Sequence, residues 1–367
     1  MKMGNVGRGS FDLTKVDFVA AGKLPENQHL LRRGDVILNT RNTPELVGKV
    51  AIWRDELPTA YYNSNLVRLE FAPEQIHDSF YAGYALNSAS AISQLKDVAT
   101  GTTSVAAIYA RDLANVSLLI PPPGEQRAIA AALSDADALI AALDDLIAKK
   151  RAMKQGAMQQ LLTGTRRLPG FGKPAAIKGA LPTGWQQRAF LEVVSHHAGD
   201  STLIKGRLSQ EKLPHLYPAY SASGQDVWHH SFAEEGDALV ISAVGSRCGR
   251  AYRAAGRWSA IANTHVVWPT DNVDLAYLQL LIDDEDFWQK SGTGQPFILF
   301  SKTFKTKFLE PPLPEQRAIA GVLSDMGAEI AALEKGRDKT RAIKQGMMQS
   351  LLTGRVRLVP NSKEATA

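Results

Sequence analysis

Residues 121–168 read PPPGEQRAIAAALSDADALIAALDDLIAKKRAMKQGAMQQLLTGTRRL, and residues 311–358 read PPLPEQRAIAGVLSDMGAEIAALEKGRDKTRAIKQGMMQSLLTGRVRL. The two stretches align at an offset of 190 without a gap and agree at 30 of 48 positions. In the first, Ile129, Leu133, Ala136, Ile140, Leu143 and Ile147 are spaced 4, 3, 4, 3, 4, the seam of a coiled coil. In the second, Ile319, Leu323, Met326, Ile330 and Leu333 repeat that seam until Arg337 breaks it. Prolines at the start suit a first helical turn, whose N–H groups have no partner within the helix. Gly164, after Thr163, suits the left-handed residue just past a helix end. The pattern predicts a helix over about 125–162 and a second one 190 residues later.

Charge sets the direction in which the two helices pair. The first carries Asp135, Asp137, Asp144 and Asp145 early and Lys149, Lys150, Arg151 and Lys154 late. The second carries Asp325, Glu329 and Glu334 early and Lys339, Arg341 and Lys344 late. Parallel pairing sets acid against acid, whereas antiparallel pairing sets each acidic half against a basic half. Each exposed pair contributes only ~0.5 kcal/mol, so charge biases orientation while seam burial supplies stability. Antiparallel pairing of equivalent helices creates a pseudo-two-fold axis, with the flanking segments at opposite ends of a rod. A 38-residue helix spans roughly 57 Å at 1.5 Å per residue, and one DNA turn is about 34–36 Å. Such a rod suits two readers of a split DNA sequence.

Working outward, each helix follows a longer, dissimilar segment. Residues 1–118 hold short β-like runs at 35–38, 48–53, 65–69 and 116–120, with a helical patch over 75–96. Residues 185–310 hold a short helix near 190–194, strand-like runs at 238–241, 249–252 and 265–268, and a helical patch over 275–290. Weak echoes link the two. Gly34-Asp35 matches Gly236-Asp237, Gly48-Lys49-Val50 matches Gly249-Arg250-Ala251, and Gly101-Thr102 matches Gly292-Thr293. The expected layout is a first recognition domain over 1–118, a first helical spacer over 119–168 and a Gly/Pro-rich linker over 169–184. A second domain over 185–310, a second spacer over 311–358 and a frayed tail over 359–367 complete it. Pro182-Thr183-Gly184-Trp185 has no counterpart before Gly34, so either the first domain is shorter or the chain begins at an internal methionine.

The 367 residues carry 42 Lys and Arg against 37 Asp and Glu, a net charge of +5 that allows nucleic-acid binding without requiring it. One cysteine, Cys248, excludes an internal disulfide framework and fits a cytoplasmic location. No apolar run is long enough to span a membrane. Cys248 lies between Arg247 and Arg250, which would lower its pKa, although a plain small turn residue is the simpler reading. His196-His197 and His229-His230 lack a Cys or carboxylate at ligand spacing, so no metal site is expected.

DNA contact is expected from loops that combine Arg or Lys with small polar residues. These are Thr40, Arg41, Asn42 and Lys49 in the first segment, and Ser223, Gln225, Ser246, Arg247, Arg250, Thr293 and Gln295 in the second. Arginine bonds guanine O6 and N7 together and Gln or Asn bonds adenine N6 and N7, whereas small hydroxyls and Lys favour phosphate. The helices repeat more polar identity than packing requires. Gln126, Arg127, Lys154, Gln155 and Gln159 recur as Gln316, Arg317, Lys344, Gln345 and Gln349, a pattern expected if one partner docks on both copies.

The doubled pattern PPxxEQRAIAxxL…KxQGxMQxLLTGxxRL resembles the conserved regions of type I restriction–modification specificity subunits. Gly34-Asp35-Val36-Ile37, Leu181-Pro182-Thr183-Gly184-Trp185, the 218–224 run PAYSASG and the 291–296 run SGTGQP resemble that family's target recognition domains. The resemblance implies a mixed α+β (α/β) fold with two recognition domains separated by two long antiparallel helices. It implies a non-catalytic subunit that reads a bipartite double-stranded DNA target, one domain per half-site. The implied partners are two copies of a modification methyltransferase subunit and the restriction endonuclease/translocase subunits. The subunit itself would bind no cofactor, with S-adenosylmethionine, ATP and Mg on the partners. The residues agree that catalysis lies elsewhere: there is no Asn-Pro-Pro-aromatic tetrapeptide, phosphate-binding G-x-x-x-x-G-K-[ST], H-E-x-x-H or G-x-S-x-G. The alternative is a coiled-coil scaffold that joins two protein clients without reading DNA.

Overall fold

In the computed structural model, which describes residues 1–20, 22, 26–101, 105–175, 180–284, 286–292 and 294–358, the two repeats form helices Pro123–Leu162 and Leu313–Leu351. Each ends alike. Gly164 and Gly354 take positive φ of 69° and 70°, and the N–H groups of Arg166 and Val356 reach back to the carbonyls of Gln160 and Ser350. No described helix is long and apolar enough to cross a membrane.

The chain divides into two compact units, and each takes half of each long helix. The first comprises Met1–Leu146 and Leu333–Ala367, the second Ile147–Ala332. In the first unit, a three-stranded antiparallel sheet has Val36–Asn39 at its centre, between Val50–Ile52 and Leu66–Leu69. The central strand is buried throughout, which is why its run of Val, Ile and Leu does not alternate. Helix Ser79–Leu86, capped by the Asp78 side chain on the Tyr81 N–H, buries Tyr81, Tyr84 and Ala85. Those residues pack with Ile129, Ala130 and Leu133 of the first long helix and Leu351 and Leu352 of the second.

The second unit repeats this plan with more strands. Its main antiparallel sheet runs Ala251–Ala254, Ala238–Ser242, Thr264–Pro269 and Val194–Ala198. A second sheet pairs Gly224–His229, Tyr217–Ser221, Arg257–Ala260 and Glu234–Glu235, with one parallel pairing that sets Ser259 and Ala260 opposite Ala219 and Tyr220. Helix Leu275–Ile282, capped by Asp274, buries Tyr277 among Trp185, Leu161, Ile319, Ala320 and Leu323. Tyr277 and Tyr81 are equivalent: their hydroxyls donate to the carbonyls of Leu309 and Leu119, 190 positions apart.

Within each unit the helix halves run antiparallel, as their charges demand. In the first unit, Asp137 meets Lys344 at 2.5 Å, and Asp144 accepts from Arg337 and Arg341 at 3.2 and 2.9 Å. Arg337, which broke the apolar seam, is therefore an ion-pair partner. In the second unit, Lys150 meets Glu329 at 2.6 Å. Of the seam, Ile129, Leu133, Ile147, Ile319, Leu323 and Ile330 are buried, while Ile140, Leu143 and Leu333 are half-buried.

Several local expectations are corrected. The patch over 75–96 is two helices, Ser79–Leu86 and Ala89–Asp97, because Ser88 caps a new start through the Ala91 N–H. The patch from Leu275 stops at Ile282. Residues 116–120 form no strand. Their counterpart Lys307–Glu310 does, because Gln186–Ala189 pairs with it. The tail 359–367 lies outside the described residues.

Candidate nucleic-acid interface

Both units build the same pair of loops on the same sheet edge. In the first, the Asn39 N–H donates to the Lys49 carbonyl and the Gly48 N–H to the Asn39 carbonyl, each at 2.9 Å. In the second, Ser242 with Arg250 and Gly249 with Ser242 repeat those bonds at 2.9 Å. The chain leaves and rejoins the sheet at these points, so residues 40–47 and 243–248 are closed loops. Gly48 and Gly249 close them with φ of 73° and 97°, where a side chain is strained. A short hairpin supports each loop. Thr100–Gly101 pairs with Ala106–Ala107, and Lys290–Ser291 with Phe297–Ile298. The Ile108 N–H donates to Thr40 at 2.9 Å and the Ile298 N–H to Ala243 at 3.0 Å.

These loops carry the candidate DNA-contacting residues. Arg41 is exposed and its backbone pairs with Ala107. Thr40 and Asn42 are half-buried; the Thr40 hydroxyl donates to the Asn65 carbonyl at 3.2 Å and the Asn42 Oδ1 accepts from the Thr43 N–H at 2.9 Å. Lys49 is half-buried where the loop closes. In the second unit, Ser223, Gln225, Ser246, Arg247, Arg250 and Gln295 are all exposed. Arg247 Nη1 donates to the Ser223 carbonyl at 2.7 Å, and the Gly245 N–H donates to Pro296 at 2.8 Å. Three loops distant in sequence are thereby brought together, with the remaining guanidinium donors of Arg247 at the exposed surface. Arg250 faces away from a free role, pairing with Asp283 at 3.3 Å. Thr293, with residues 102–104 of the first unit, lies outside the described residues.

The other singled-out residues are structural. Cys248 is buried, its thiol faces the Ala243 carbonyl, and burial pushes its pKa up, in keeping with a plain small turn residue and not with a thiol activated by its arginine neighbours. Among the described residues no group of His, Cys, Asp and Glu has metal-ligand geometry. His196 Nδ1 and His265 Nε2 lie 2.8 Å apart, and His265 stacks on Phe300. Burial, then the neighbouring His196 and His197, pushes His265 down to about 4; burial also lowers His196. His197 itself faces Glu234 at 3.0 Å. The unfolded chain takes up these protons first, near the ordinary value of 6.5. Stability from the neutral pair is thus present above that pH and lost as pH falls toward 4. Thermal unfolding followed between pH 7 and 5 should show a drop that His265→Phe reduces, since phenylalanine keeps the stacking and removes the proton. An identical drop in the variant would contradict this reading.

The repeated polar residues split into two sets. Gln126 and Gln316 are buried, at 1% and 0% exposure, and spent inside their own units. The Gln126 amide donates to the carbonyls of Gln75 and Pro121 at 2.7 and 2.9 Å, and its Oε1 accepts from the His77 N–H at 2.9 Å. Gln316 makes the same three bonds with Asn272, Pro311 and Asp274. Both are corrected from partner docking to anchors of the loop before each packed helix, because no polar atom is left to offer. Arg127, Gln155, Gln159, Arg317, Gln345 and Gln349 are exposed, Lys154 is half-buried and Lys344 is held by Asp137.

Sequence reasoning missed another repeated pair. Glu315 accepts from Arg167 Nε and Nη2 at 2.9 and 2.6 Å and from Trp185 Nε1 at 2.9 Å. Glu125 accepts from Arg357 Nε at 2.7 Å and Nη2 at 2.6 Å. Each bridge ties the start of one long helix to the segment after the other. The signal was present, since Glu125/Glu315 and Arg167/Arg357 are identical at the offset of 190.

Comparisons with known proteins agree with this geometry. Residues 19–149 match the type I restriction modification DNA specificity domain. The putative type I restriction enzyme MjaX specificity subunit of Methanocaldococcus jannaschii is 24% identical, over 96% of this chain and 86% of its own. The MjaVIII specificity subunit of the same organism is 25% identical, over 81% of this chain and 74% of its own. The fold is similar to the S subunit of the type I system from M. genitalium, with a TM-score of 0.56 at 16% identity over 87% of this chain and 83% of that one. It is also similar to a chain from a structure of type I restriction–modification complex assembly, with a TM-score of 0.52 at 18% identity over 88% and 82%. The doubled helix and the paired loops thus have their place: residues 19–149 match the type I restriction modification DNA specificity domain, and most of the chain is similar to type I specificity subunits.

Proposed function

We propose that each unit reads one half of a bipartite double-stranded DNA target through its loop pair, and that the exposed faces of the long helices dock two modification subunits. The observation that carries this reading is the recurrence of one loop-and-hairpin geometry in both units while the loop sequences differ. One scaffold with two sets of side chains suits two different half-sites. The chain contributes recognition and no chemistry; S-adenosylmethionine, ATP and Mg belong to the modification and restriction subunits that join it, and the complex works on cytoplasmic DNA.

The reading is tested by footprinting with the co-expressed modification subunit present. Two protected patches about one helical turn apart are expected; protein association without a footprint would support a scaffold instead. Arg247→Ala should weaken specific binding by about 1–3 kcal/mol if the guanidinium reads a base. Unchanged affinity and unchanged salt slope would remove Arg247 from the reading surface.

A further inference from the structure

The offset of 190 that aligns the two helices also exposes one place where they differ chemically. It sets Lys344 against Lys154, and Asp137 against Gly327. In the first unit, the Asp137 carboxylate is the centre of a closed network. Lys344 donates to Oδ1 at 2.5 Å, and Oδ2 accepts from the Tyr84 hydroxyl at 2.7 Å and from Arg54 Nη2 at 3.1 Å. In the second unit the same position has no side chain. A β-carbon built on Gly327 would lie 2.9 Å from Lys154 Nζ, so the lysine reaches to where the carboxylate stem would begin.

The space left is a cavity of about 560 Å³ whose wall includes Arg151, Lys154, Arg253, Gln279, Asp283 and Gly327. Arg253 pairs with Asp237 at 2.8 Å. Asp283 turns its carboxylate to the Ala251 N–H at 3.0 Å and to Arg250, and Lys154 is the last of the charges acting on it. Among the described residues, Lys154 donates no hydrogen bond and joins no ion pair. With Arg253 committed to Asp237, the half-buried Lys154 is the cation here without the hydrogen-bonded carboxylate that its twin Lys344 has in Asp137.

We propose that this cavity is a seat for the carboxylate of an Asp or Glu side chain on a docked partner protein, occupying the position that Asp137 fills within the first unit. The proposal rests on the reading that the helix faces dock modification subunits. It makes the two docking surfaces unequal: the second unit takes an acidic side chain from outside, and the first supplies its own. A carboxylate is favoured over a DNA phosphate because the equivalent lysine is already satisfied by one in the first unit.

The test titrates the co-expressed modification subunit against the wild-type chain, Gly327→Asp and Lys154→Met. Both variants should lose about tenfold in affinity at one of two sites. Gly327→Asp should also unfold at the same or a higher temperature, because the introduced carboxylate meets Lys154 and removes a mid-helix glycine. Unchanged binding by both variants overturns the proposal while leaving docking intact. Absence of binding by the wild-type chain overturns docking and the proposal together. If the variants keep the modification subunit but lose DNA affinity with a shallower salt slope, the seat takes a phosphate and the proposal is wrong.

Discussion

Glu315→Ala is expected to lower the unfolding free energy of the second unit by about 3–5 kcal/mol. The Glu315 side chain is fully buried and that of Arg167 is 5% exposed, so the substitution leaves a guanidinium without water or counter-charge. It also leaves the Trp185 N–H without its acceptor. The equivalent change, Glu125→Ala, should cost the first unit less, because the Arg357 side chain is 47% exposed and water takes over. Urea unfolding followed separately in the two units, through Trp185 and Trp53, distinguishes the two. A loss under about 1 kcal/mol for Glu315→Ala, the range of an exposed pair, would contradict the buried bridge.

Gln316→Ala is expected to cost about 2–4 kcal/mol, because it strands two carbonyls and one N–H in a buried site. Arg317, next in sequence and exposed, provides the contrast. Arg317→Ala should leave the unfolding midpoint in place and weaken modification-subunit binding. The pair separates two meanings of repeated polar identity, internal anchor and external contact. Equal stability of the two variants would contradict the assignment of Gln316.

The long helices were legible because their signals are local and doubled. Seam spacing fixed their length and register, and the acid-to-base gradient fixed their direction. What faced inward was not legible. A buried glutamine, two of whose three backbone partners lie 42 to 51 residues away, looks the same in sequence as an exposed one. Gln126 and Gln316 were therefore grouped with Gln155 and Gln345. Strand assignment failed where pairing decides it. Residues 116–120 and Lys307–Glu310 have similar local character, yet only the latter meets a partner, Gln186–Ala189. Tyr217–Ser221 and Gly224–His229 were missed because a register shift between Gln225 and Val227 disturbs their alternation. The loops at 40–47 and 243–248 were found by composition, but the contact of Arg247 with Ser223 needed three loops to converge.

The central claim, that each unit reads its own half-site, is tested most directly by selecting bound sequences from a randomised DNA pool. The selection uses the chain co-expressed with its modification subunit. Two specified blocks separated by a fixed unspecified spacer are expected, and replacing the 40–42 loop should alter one block while leaving the other. A single contiguous block, or a loop replacement that changes both blocks or neither, would contradict the account.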